Sequence, residues 1–81
     1  MIHELKCWPE YFNMVLSDKK KFEARLDDRN FKIGDELLLK EWKPDDKVYT
    51  GRILHRKIDY VLRDSYIGLK EGYVILSLSK I

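Results

Sequence analysis

Asp18-Lys19-Lys20-Lys21-Phe22-Glu23-Ala24-Arg25 is the stretch whose reading decides the fold. An amphipathic helix ends before it, three lysines follow, and a strand begins. Alternation with period two sends Phe22, Ala24 and Leu26 to one face of that strand and Glu23 and Arg25 to the other. The expectation is an apolar face turned to the core, and a carboxylate and a guanidinium side by side on the opposite face, lining a cleft.

Toward the N-terminus, Ile2 to Cys7 alternates weakly and predicts a first strand with His3, Leu5 and Cys7 on one side. Trp8-Pro9-Glu10 predicts a helix start, because proline at the first helical position gives up no needed hydrogen bond and Glu10 meets the positive end of the dipole. The helix is expected to run to about Ser17, with Phe12, Val15 and Leu16 on its apolar stripe and Tyr11 and Met14 at the margins. Asp18 then falls where helices often end in a left-handed residue. Lysines 19–21 sit at the negative end of the dipole, which alone accounts for cations there at ~0.3–1 kcal/mol each.

Toward the C-terminus, Asp27 to Asn30 is a polar turn and Gly34-Asp35 another. Glu36 to Trp42 predicts a strand whose triple leucine is covered on both faces near its middle. Residues 43–47 form a loop, and Val48 to Thr50 with Arg52 to Leu62 supply the returning strand, Gly51 marking a bulge or a point of close approach. On that strand Leu54, Arg56, Ile58, Tyr60 and Leu62 share the more apolar face, where Arg56 is the odd residue. Residues 63–72 predict a loop with one helical turn, and Tyr73 to Leu78 a buried last strand. The elements predict an α+β domain: a small barrel, closed or nearly so, of about five mostly antiparallel strands with the helix at one opening.

Eighty-one residues suffice for one core, so residues 1–81 are read as a single domain. A formal charge of +2 is too mild to announce a nucleic-acid binder by itself. A single cysteine rules out an internal disulfide and the four-thiolate zinc patterns. Nothing resembles a signal peptide or a membrane span, which leads to the expectation of a cytoplasmic protein without a membrane partner. The four glycines are scattered, so no phosphate loop forms. No serine, threonine or cysteine is paired by signature with a histidine base. His3, His55 and Cys7 lack metal-ligand spacing, so neither a metal nor a cofactor is expected.

The charged stretch admits two readings, a solvated patch of little energetic value or a set of charges held ready for a polar ligand. In the second, Arg25 forks onto a phosphate, the lysines add attraction, and Trp8, Tyr11 or Trp42 offers a face for base stacking.

The spacing of Asp18, Lys20, Glu23 and Arg25 resembles the Gly-x-Lys-x-x-Glu-x-Arg motif of the ASCH domain, a branch of the PUA-like superfamily, which lies between the first helix and the next strand. His3-Glu4-Leu5-Lys6, Trp8-Pro9, residues 31–35, Glu41-Trp42, residues 49–52 and residues 68–76 look like a short bacterial and phage subfamily of these proteins. The resemblance implies a PUA-like barrel of five or six strands, with the motif lining a cleft beside the helix and binding RNA. The motif's glycine is Asp18 here; its Lys, Glu and Arg are intact. Some ASCH proteins look like amidohydrolases that deacetylate N4-acetylcytidine with the motif lysine, a threonine and a further glutamate. Lys20 matches that lysine, the threonine position falls at Glu23, and the segment carrying the other glutamate has no counterpart.

The expected function is thus an RNA-binding or modified-nucleoside-binding module with Lys20, Glu23, Arg25, Lys6, Trp8 and Trp42 as contact residues. The alternatives are a small amidohydrolase in which Lys20 and Glu23 share proton transfer, and a protein-interaction domain.

Overall fold

The computed structural model describes residues 1–64 and 67–81. Strand β1 (Ile2–Cys7) turns His3, Leu5 and Cys7 inward, as its alternation predicts. It pairs in parallel with β3 (Glu36–Lys43), from Ile2 opposite Glu36 to Cys7 opposite Glu41. Between them lie helix α1 (Pro9–Leu16) and strand β2 (Phe22–Leu26). Strand β4 (Val48–Leu62) is antiparallel to β3, and β5 (Tyr73–Lys80) is antiparallel to both β4 and β2. The order β1-β3-β4-β5-β2 makes one five-stranded mixed sheet, curled into a half-barrel.

Helix α1 begins at an extended Trp8 with Pro9 in its first turn, and buries Phe12 and Val15. Leu16, expected on the buried stripe, is instead exposed with Tyr11 and Met14, because a two-turn helix lying on a curled sheet buries only a narrow stripe. After the helix, Asp18 takes the left-handed region with φ 63°, and the Lys19 and Lys20 amides both donate to the Met14 carbonyl at 3.0 Å.

Strand β2 reverses the expected facing. Glu23 is buried and Arg25 half-buried, while Phe22, Ala24 and Leu26 are exposed. The reason is position. As the last strand of the sheet, β2 faces inward onto the space beneath α1, not onto the apolar centre, which is filled by residues such as Phe12, Phe31, Leu37, Leu39, Ile58 and Leu76. Each of those side chains contributes about 1.5–3 kcal/mol by leaving water.

The returning strand is continuous. Three residues, Thr50 to Arg52, stand opposite the one residue Glu41, and Gly51 takes φ +97° at this bulge. Arg56 and Ile58 are buried on the face expected for them, but the register shifts between Ile58 and Tyr60, so Tyr60 is exposed and Val61 packs against the core. The triple leucine is buried at Leu37 and Leu39 and half-buried at Leu38. The helical turn expected within residues 63–72 falls in part on residues 65–66, outside the described residues.

The two edge strands, β1 and β2, approach each other without pairing. Side chains span the seam: Arg25 Nη2 donates to the Lys6 carbonyl at 3.3 Å and Arg29 Nη1 to the Glu4 carbonyl at 3.0 Å. The barrel is therefore open along one line.

Candidate functional site

A cleft of about 510 Å³ occupies the seam beneath α1. Lys6 and Cys7 of β1 form one wall, Glu23, Ala24 and Arg25 of β2 the other, and Trp8, Tyr11 and Lys20 the rim. Local sequence explains each placement. Pro9 starts the helix immediately after β1, so Trp8 is left at the corner with its ring half exposed. Tyr11, one turn on, stacks loosely beside it, with centroids 6.5 Å apart and planes 27° from parallel. The left-handed turn at Asp18 brings the chain back so that Lys20 and β2 face this corner.

Glu23 is the centre of the cleft. Its Oε1 accepts from Lys20 Nζ at 3.1 Å and its Oε2 lies 3.5 Å from Arg25 Nε. Lys20 also donates to the Phe22 carbonyl at 2.9 Å, and its ammonium sits 4.9 Å from the Phe22 ring centroid. Arg25 makes one backbone hydrogen bond and one loose ion pair, so most of its five donors have no protein partner among the described residues. Cys7 lies against this group, where burial first, and then the charge of Glu23, pushes its thiol up to about 11. At neutral pH it is a protonated thiol, not a nucleophilic thiolate.

Of the residues expected from sequence, Lys20, Glu23, Arg25, Lys6 and Trp8 come together in this cleft. Trp42 does not line it; it is half-buried on β3 with Lys6 Nζ held 4.3 Å above its ring. Tyr11, one of the three candidate stacking faces, stands on the rim, whereas the wall residue Cys7 is less legible, because a lone cysteine reads equally well as core.

A second buried carboxylate went unnoticed in the sequence. Glu41 Oε1 accepts from Thr50 Oγ1 at 2.5 Å and Arg52 Nε at 2.9 Å, and its Oε2 accepts from Arg52 Nη2 at 2.9 Å. Arg52 Nη2 also donates to Asn13 Oδ1 at 2.8 Å, and its guanidinium lies 4.7 Å from the Phe12 ring. The fork of Arg52, with the Thr50 hydroxyl, holds the Glu41 carboxyl down to about 2. The signal was an acidic residue on the inward face of β3 opposite a glycine bulge, which requires a partner. A third link closes the far end of β1, where His3 Nε2 meets Asp35 Oδ2 at 2.8 Å and the Lys32 amide donates to the same oxygen at 3.1 Å.

Among the described residues no group of three or more His, Cys, Asp and Glu side chains is placed to hold a metal ion. Among them, too, no helix is long and apolar enough to cross a membrane.

Comparison with known proteins places the chain in a family. The model of the family described as "Domain of unknown function (DUF3850)" matches residues 2–78. The chain is 40% identical to an "Uncharacterized 12.9 kDa protein in GpA 3'region" of Escherichia phage P2, in a match covering 83% of this chain and 70% of that protein. The chain belongs to the DUF3850 family.

Proposed function

We propose that this DUF3850 protein is a small PUA-like module of the ASCH type that binds single-stranded RNA or a modified nucleoside in the seam cleft. One observation carries the reading: a buried carboxylate, Glu23, is held by two cations that remain only partly used, beneath two exposed aromatic rings. A base stacked on Trp8 or Tyr11 presents its polar edge to the cleft wall. Glu23, an acceptor, reads amino or imino donors on that edge. Arg25 and Lys6 meet the flanking phosphate or the ribose, which positions the ligand without selecting sequence. Lys20 orients Glu23 through its hydrogen bond to Oε1, so the acceptor is in place before the ligand arrives. The resemblance of Asp18-x-Lys20-x-x-Glu23-x-Arg25 to the ASCH motif supports the same assignment.

Lys20 Nζ and Glu23 Oε1, 3.1 Å apart, also form a pair able to pass a proton. That favours hydrolysis of an N-acylated nucleoside such as N4-acetylcytidine as the second reading.

Fluorescence anisotropy of a labelled single-stranded RNA at two salt concentrations tests binding. Affinity falls steeply with salt, and Arg25→Ala weakens it about tenfold and lowers the salt slope by about one. No binding at low salt defeats the proposal. Incubation with N4-acetylcytidine separates the second reading: release of cytidine that Lys20→Ala abolishes establishes hydrolysis, and no release leaves binding alone.

A further inference from the structure

Arg56, the odd residue on the apolar face of β4, is 9% exposed and is not absorbed by the cleft. Its Nη1 donates to the neighbouring His55 carbonyl at 2.9 Å. Among the described residues no carboxylate lies within 4.0 Å of it. A buried cation without an ion-pair partner is unfavourable in a protein interior, and the acid that feels its charge, Asp18, is not paired with it. The group sits on a second pocket of about 370 Å³, formed where the turn after α1 meets the middle of β4 and the C-terminal end of β5. Lys20, Lys21 and Lys80 also line this pocket. Its one acid, Asp18, is already engaged by Lys80 at 2.9 Å, and the Ser79 hydroxyl is turned to Asp59 at 3.1 Å. Of the four cations lining this space, Lys20 and Lys80 are held by Glu23 and Asp18, while Arg56 and Lys21 have no ion pair within 4.0 Å among the described residues.

We infer that this pocket is an oxyanion site that takes a phosphate group, with the guanidinium of Arg56 as its anchor and Lys21 and Lys80 as its outer cations. The planar fork of Arg56 supplies directional donors, and the lysines supply point charges around the remaining oxygens. The phosphate belongs either to the free ion or to a nucleic-acid backbone. The site stands independently of what the cleft binds, although Lys20 lines both.

The test is an NMR titration of the full chain with inorganic phosphate at constant ionic strength, observing the Arg56 side-chain N–H and the Lys21 and Ser79 amides. The expected result is a saturable shift at all three, lost in Arg56→Met. Lys80→Met, an exposed substitution that keeps the fold, weakens saturation about two- to fivefold. Lys32→Gln, which removes the same charge elsewhere, leaves it unchanged. A linear drift without saturation, or identical saturation in wild type and Lys80→Met, overturns the inference. A parallel titration with a single-stranded trinucleotide assigns the source: response to phosphate alone identifies the free ion, and joint response of Arg56 and Arg25 at one midpoint identifies the backbone.

Discussion

Two buried carboxylates flank helix α1, and they are built differently. Glu41 has both oxygens occupied at 2.5–2.9 Å, and the arginine that holds it is itself tied to Asn13 of the helix. Glu23 is comparably buried, yet its contacts are 3.1 and 3.5 Å and its cations face an open cleft. Saturation distinguishes the roles. A carboxylate with both oxygens engaged by short hydrogen bonds fastens the helix to the β3–β4 hairpin. One with unused capacity at an opening can add a partner without breaking what holds it.

Removing the saturated carboxylate has the largest expected effect. Glu41→Gln leaves Arg52 and Thr50 without their acceptor charge and lowers stability by about 2–3 kcal/mol. In a domain of this size that is a fall in Tm of about 10–20 °C, measured by thermal or urea unfolding. The same residue sets an acid limb. Its carboxyl is held down to about 2 in the folded chain, so its contribution is complete above the ordinary glutamate value of about 4.3 and is lost as pH falls from there through about 2. The stability gap between wild type and Glu41→Gln should be constant above about pH 5 and shrink below about pH 4.

Glu23→Gln is the matched substitution at the open site. It is expected to cost under about 1 kcal/mol of stability, because Lys20 and Arg25 retain access to water. A loss as large as that of Glu41→Gln would make Glu23 a structural residue and erase the contrast. The smallest effect belongs to Asp18→Gly, which relieves the left-handed backbone and forfeits an exposed pair with Lys80. A small net gain, read as a slightly higher urea midpoint, is expected.

The same contrast explains what could be read from the sequence. The elements, their order and the shared face of His3, Leu5 and Cys7 on β1 followed from alternation, proline and turn residues. The left-handed Asp18 and the glycine bulge at Gly51 followed from where those residues fall relative to the helix end and the long return strand. The facing of β2 did not. Its pattern assigns Phe22 and Leu26 to the interior, but an edge strand bounding a cleft inverts that rule, and the failure marks the candidate site. The switch of face near Tyr60 depends on a one-residue register shift that no local pattern announces. Glu41 and Arg52 stand eleven positions apart, paired only by the hairpin, so their bond was invisible before the register was known.

Chemical-shift mapping with a short single-stranded RNA at low salt tests the division most directly. The account predicts saturable shifts at the Trp8 indole N–H and at Glu23 and Arg25, while the Arg52 side chain and Thr50 stay unmoved. Shifts centred on Arg52 and Thr50, or none at Trp8 and Arg25, would contradict it.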